Sequence, residues 1–199
     1  TYAKMNVPSI LFKLLNACPT AFAIDAKDRN YPKNPPAEAP QPQKWPKDLK
    51  VSGNRLVDTD GKEVWLQGVA IPGLEIVPEG HGVVNSTIVA IDDWKANVVR
   101  LAVKDEYWYG KAKETPKSKG QTDGGAAYRA IIDAAVNAAA NRGAYLVIDN
   151  HVYRAVKPEQ LEFWKEVATK YKNHPAVLFD IINEPHGITW DVWRNGGFV

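Results

Sequence analysis

From Leu49 onward, short apolar runs alternate with longer stretches whose apolar residues recur at helical spacing. Val51 to Val57 reads as a strand, Asp58-Thr59-Asp60-Gly61 as a turn, and Glu63 to Val69 as a second strand. Asp-Gly supplies the left-handed-tolerant residue that a tight turn needs. A loop from Ala70 to Asn85 follows. Ser86 and Thr87 read as the cap of a helix carrying Ile88, Ile91 and Trp94 on one face. Asn97 to Val103 is nearly continuously apolar, the texture of a strand buried on both faces. After a polar loop, Lys104 to Thr122, a helix is predicted over about Gly125 to Arg142, with Ala127, Ile131, Ala135 and Ala139 on its buried face and Gly143 as its stop. Tyr145 to Ile148 is the next strand. A further helix opens at Pro158, a good first-turn residue, and buries Leu161, Trp164, Ala168 and Tyr171. It ends at Asn173-His174-Pro175, and the strand Ala176 to Ile182 follows.

Continuously apolar strands that alternate with helices predict an α/β fold with a parallel sheet covered by helices. A doubly wound sheet and a (β/α)8 barrel both fit. The polar residues favour the barrel. Arg100 lies on the second of its strands, Asp149-Asn150-His151 ends the third, and Asn183-Glu184-Pro185 ends the fourth. Barrel enzymes collect their reactive groups at the C-terminal ends of several strands. Singly, an arginine is an ion-pair group, a histidine a structural residue and a glutamate a solvated one. Three of them at one rim are better explained as a site.

The N-terminal quarter has a different texture. Ile10 to Leu15 is apolar apart from Lys13, and Ala21-Phe22-Ala23 has the form of a signal cleavage site, so residues 1–27 read as a separate segment, either a secretory signal or a tag. Residues 28–48, with six prolines, read as a linker or an extended lead-in, and 49–199 as the body. Cys18, the single cysteine, has no internal disulfide partner. A formal net charge of +2 with mixed signs gives no basis for binding nucleic acid or an anionic membrane. Cysteine and histidine nowhere take metal-ligand spacing. Seven tryptophans and eight tyrosines suit either a core or a sugar-binding cleft.

Asn97-Val98-Val99-Arg100-Leu101, Asp149-Asn150-His151 and Asn183-Glu184-Pro185-His186-Gly187 resemble the matching segments of family 5 glycoside hydrolases, as do the opening hairpin and Leu66-Gln67-Gly68-Val69. The resemblance runs from about Val51 to the end. It implies the first four βα units of a (β/α)8 TIM barrel, preceded by the hairpin and the Pro-rich segment. It also implies a retaining endo-β-glycosidase acting on β-1,4-glucan. Glu184 would be the acid/base, protonating the departing glycosidic oxygen and then activating water. Asn183 would bond the 2-hydroxyl of the sugar, His151 would line its subsite, and Arg100 would hold the nucleophilic carboxylate. Tyr107, Trp108 and Tyr109, on the loop after the second strand, either stack on sugar rings or pack the loop. Trp190 and Trp193 pose the same choice, whereas Trp164 reads as core. His186, near Glu184, either joins the site or merely orders the loop. Glu75 and Glu79 lie after the first barrel strand, away from the family's nucleophile position. Asn85-Ser86-Thr87 forms a glycosylation sequon.

A retaining glycosidase needs two carboxylates about 5–5.5 Å apart. In the family the nucleophile comes from the seventh strand, and only four such strands are read here. These residues alone are therefore expected to be inactive and to need the C-terminal half of a barrel as partner. The same reacting centre serves β-mannanases and β-1,3-glucanases. A different class, an inactive half-barrel or carbohydrate-binding fragment, also fits the missing nucleophile. The expected ligand is a β-linked polysaccharide or oligosaccharide. No cofactor or metal is implied, and the substrate's location implies secretion.

Overall fold

The computed structural model describes residues 34–153, 155 and 157–196. The signal-like stretch and Cys18 lie outside the described residues.

The opening hairpin is formed by β1 (Leu49–Ser52) and β2 (Arg55–Asp58), paired antiparallel with Leu49 opposite Asp58. The reversal is at Gly53-Asn54, inside the stretch expected to be one strand. Gly53 takes φ +62°, which a two-residue turn demands and glycine supplies cheaply. The expected turn at Asp58–Gly61 is also present: Asp58 Oδ1 accepts from the backbone N–H of Asp60 and Lys62, both at 2.9 Å. It leads only to an isolated bridge between Glu63 and Val57, so the predicted second strand is reduced to its end.

That end is β3 (Gly68–Ile71), the first strand of a four-stranded parallel sheet ordered β3-β4-β5-β6. The others are β4 (Val98–Val103), β5 (Tyr145–Asn150) and β6 (Val177–Asp180). Gly68 is fixed by close approach, since a Cβ there would lie 1.7 Å from the Val98 carbonyl oxygen. Period-two alternation then sorts each strand into two faces. Val99, Leu101 and Val103 of β4 and Leu146, Ile148 and Asn150 of β5 are wholly buried against the helices. Arg100 and Asp149 fall on the opposite face, and Asp149 is paired in register with Asp180.

Helices join the strands. Helix α1 (Val83–Asp92) begins three residues before the predicted cap, with Gly82 at its N-cap. Thr87 is fully buried in it and donates to the Val83 carbonyl at 2.8 Å, so the sequon lies within a helix rather than on an extended loop. Trp94 lies past the helix end and is 69% exposed, not on its buried face. Helix α2 (Asp105–Trp108) is a single turn within the predicted loop, and α3 (Ala126–Ala140) matches its predicted span. In α3 the buried line passes through Tyr128, Ile132, Ala135 and Ala139, while Ala127 is exposed. Helix α4 (Pro158–Tyr171) buries Gln160, Phe163, Val167 and Tyr171, and Leu161 is exposed. Trp164 is partly buried and its indole donates to the Ile181 carbonyl at 2.8 Å. A short helix, α5 (Trp190–Asn195), follows β6, capped by the Thr189 hydroxyl accepting from the Val192 N–H.

From residue 34 on, the Pro-rich segment is bound to the body rather than free as a linker. Asn141, at the end of α3, accepts from the Gln41 N–H at 2.8 Å and donates to the Ala39 carbonyl at 2.9 Å. Arg142 pairs with both Glu38 and Asp92. Trp45 stacks on His174 with ring centroids 4.1 Å apart. No helix of the described residues is long and apolar enough to cross a membrane.

Candidate active site

Arg100 is the organising residue. Its Nε donates to Asp180 Oδ2 at 2.9 Å, and its Nη2 lies 3.0 Å from both Asn183 Oδ1 and Asp149 Oδ2. Three successive strands thus bring Arg100, Asp149 and Asp180 together, and Asn183 follows from the end of the third. The arrangement depends on parity. Arg100, Asp149 and Asp180 share one face because the register pairs Arg100 with Val147 and Asp149 with Asp180. The hydrogen bonds and ion pairs of Arg100 among the described residues use Nε and Nη2, which leaves the Nη1 arm of the fork for another acceptor.

Asp149 has no exposed side-chain surface. Burial raises its carboxyl pKa above the usual range, while the hydrogen bond from His151 and the charge of Arg100 pull the other way. Oδ2 is 2.5 Å from His151 Nδ1, and the other ring nitrogen, Nε2, is 2.8 Å from the Tyr153 hydroxyl. His151 therefore stands at the strand end as expected, with both nitrogens engaged.

Asn183 is buried, and its amide is half used. Oδ1 takes the Arg100 hydrogen bond, which fixes the amide orientation, and Nδ2 is left buried without a partner among the described residues. An orphaned buried donor costs free energy unless something accepts from it. Glu184 comes next, with its side chain exposed and φ at +38°, a left-handed conformation uncommon for a residue with a side chain. Such strain, on the order of 1 kcal/mol or more, tends to collect at functional sites. His186 Nδ1 donates to the Glu184 carbonyl at 3.2 Å, a loop-ordering contact.

The aromatic residues separate. Trp108 is 2% exposed, edge-on to Phe163, with its indole N–H bonded to Glu166 Oε2 at 2.8 Å. It offers no free ring and is not a subsite. The one-turn helix α2 directs it inward. Tyr107 is also packed: its ring meets Tyr128 edge-on, Lys104 Nζ lies 4.8 Å over it, and its hydroxyl donates to the Ile76 carbonyl. Trp190, by contrast, is 81% exposed. It lines an open pocket of about 240 Å³ with Pro185, Ile188, Thr189 and Trp193, next to Glu184 in sequence. Glu75 and Glu79 brace the rim loops. Glu75 accepts from the Gly73 N–H, and Glu79 from the Ser118 hydroxyl and the Lys119 N–H. No group of three metal-ligating side chains occurs among the described residues.

Asp180 and Tyr153 were not legible as site residues. Asp180 could have been found from parity, since it lies four residues before Glu184 on an apolar strand, at the register position of Asp149. Nothing in the spacing of Tyr153 signals its bond to His151.

The family described as Cellulase (glycosyl hydrolase family 5) matches residues 57–196. Endoglucanase A of Butyrivibrio fibrisolvens is 34% identical over 150 residues, covering 72% of this chain and 33% of that protein. Endoglucanase E-5 of Thermobifida fusca is 30% identical over 148 residues, covering 71% and 29%. The chain thus spans about a third of the length of the curated relatives it matches. Among solved structures, a β-glucanase of Saccharophagus degradans in complex with cellotetraose superposes with a TM-score of 0.58 at 22% identity, over 86% of this chain and 53% of that one. At that identity the likeness is one of fold.

Proposed function

The chain belongs to the cellulases of glycosyl hydrolase family 5, and from this we propose that it supplies the acid/base side of a retaining endo-β-1,4-glucanase site. In this reading β3 to β6 are the first four strands of a (β/α)8 barrel. The observation that carries the proposal is the pair Asn183-Glu184 at the end of β6, with the Asn183 amide oriented by Arg100 and its Nδ2 buried and unpaired. That donor suits the 2-hydroxyl of a bound sugar, a contact that strengthens as the oxocarbenium-like transition state forms. Glu184 gives a proton to the leaving oxygen and takes one from water in the second step. Arg100, held by Asp149 and Asp180, turns its spare arm to the nucleophilic carboxylate, which the resemblance assigns to a seventh strand. Without that group, the four-stranded body binds oligosaccharide but does not cleave it.

Glucan is preferred over mannan or β-1,3-glucan because the curated relatives are endoglucanases and a solved neighbour carries cellotetraose. Trp190 is proposed as a stacking platform on its exposure, and secretion on the location of such polysaccharides.

The test is Glu184→Gln in the whole enzyme. Hydrolysis of unactivated cello-oligosaccharides should fall by a factor of about 10² or more, while their binding persists. Turnover within a few fold of the parent would refute the assignment.

A further inference from the structure

His151 reaches the rim with a defined hydrogen-bonding polarity. Asp149 Oδ2 lies between two donors, Arg100 Nη2 at 3.0 Å and His151 Nδ1 at 2.5 Å. An ionised carboxylate oxygen can only accept, which leaves the ring hydrogen on Nδ1. In the neutral imidazole the lone pair is then on Nε2, and the site asks for an O–H donor there. The structure has one: the Tyr153 hydroxyl, 2.8 Å away, with the two rings edge-on at 86°. Tyr153 is 54% exposed, on the loop leaving β5, and its hydroxyl has no other partner among the described residues. That bond and the edge-on ring contact hold it over the histidine.

We infer that Tyr153 is an internal stand-in for a sugar hydroxyl: its O–H fills the Nε2 acceptor of His151 in the unliganded site and is displaced when an oligosaccharide binds. This deepens the glucanase reading and rests on it. The exchange replaces one neutral O–H···N bond by another, so the ligand gains nothing at this point until the tyrosine lets go. Tyr153 then acts by competition, as a residue that sets affinity, and takes no part in bond cleavage. A β-linked oligosaccharide of glucose suits the exchange because its hydroxyls are neutral O–H donors.

The experiment is binding of cellotetraose to the full 199-residue chain, by calorimetry, in the parent and in Tyr153→Phe. The ring stays and only the competing hydroxyl goes. Removing a half-exposed neutral hydrogen bond should tighten Kd by between about two- and tenfold. Equal or weaker binding by the variant overturns the proposal, because a wall or a direct sugar contact would give that result. Mannotetraose is run alongside. If only mannotetraose binds, and binds more tightly to the variant, the displacement stands and the glucan reading fails. If neither sugar binds either protein, both fail. Nitrogen NMR of the His151 ring supplies a second readout that needs no ligand: the hydrogen should sit on Nδ1, and a hydrogen on Nε2 in the parent would also overturn the inference.

Discussion

Arg100 holds one cation among three acceptors, and the least solvated of these sets its energetic weight. Asp149 has no exposed side-chain surface, so its charge depends on Arg100 and His151 for compensation. Removing one partner of a buried ion pair leaves the other uncompensated, a loss of about 3–5 kcal/mol. Arg100→Ala should therefore lower the unfolding free energy by that order, read from urea denaturation near neutral pH. Asp180 is 37% exposed, and its bond to Arg100 should contribute far less. A loss below about 1 kcal/mol in Arg100→Ala would mean that Asp149 is neutral in the folded state, the direction in which its burial already pushes it. At this scale the sequence was informative wherever strand position fixed the role. Arg100 bonds Asn183 directly and meets His151 through Asp149. The sequence left Tyr107 and Trp108 open between stacking and packing, because one turn of helix decides which way an aromatic points and four residues carry too little periodicity to reveal it.

At the scale of elements, the order of strands and helices was legible and the finer phase was not. The strands β4 and β5 lie where continuous apolar runs put them, since burial on both faces leaves little ambiguity. In α3 and α4 the predicted positions Ala135, Ala139 and Tyr171 are buried, but the first turns bury Tyr128 and Phe163 rather than Ala127 and Leu161. Where alanine and leucine are spread around a helix, tertiary contacts choose the stripe. The Pro-rich segment leaves linker and extended lead-in open for a related reason: proline excludes helix and central strand but does not exclude ordered contact. Its attachment makes a pH prediction. Burial raises the Glu38 pKa, but the hydrogen bonds from Asn141 and Arg142 outweigh it and leave the group below its usual value. A carboxylate depressed by folding stabilises the fold above its unfolded pKa, and that contribution is lost as pH falls through the folded value. Glu38→Gln should therefore be less stable than the parent by about 1 kcal/mol at neutral pH. The difference should vanish as the pH falls below the ordinary carboxylate range. A difference that persists unchanged in acid would show that the charge of Glu38 does not hold the segment down.

For the molecule as a whole, the consequential feature is the side of the sheet that ends at β6. That strand has one neighbour, β5, so its other edge carries unpaired backbone groups. Beside it Phe179 is 38% and Ile181 65% exposed, with Trp164 packed edge-on against Phe179 at 5.7 Å. No lysine or proline lies within β6, whose sequence is Val177-Leu178-Phe179-Asp180. A formal net charge of +2 provides little repulsion between copies. An apolar edge with unpaired backbone groups is a template for pairing with another strand. The 199-residue chain, purified alone, should therefore associate reversibly as its concentration rises, which sedimentation velocity would detect as a drift to larger species. Ile181→Lys places a charge on the most exposed apolar position of the strip without touching the network around Arg100, and should shift the chain back toward monomer. If the parent sediments as a monomer across the micromolar range, or if the lysine leaves its association unchanged, the edge at β6 is not the adhesive surface.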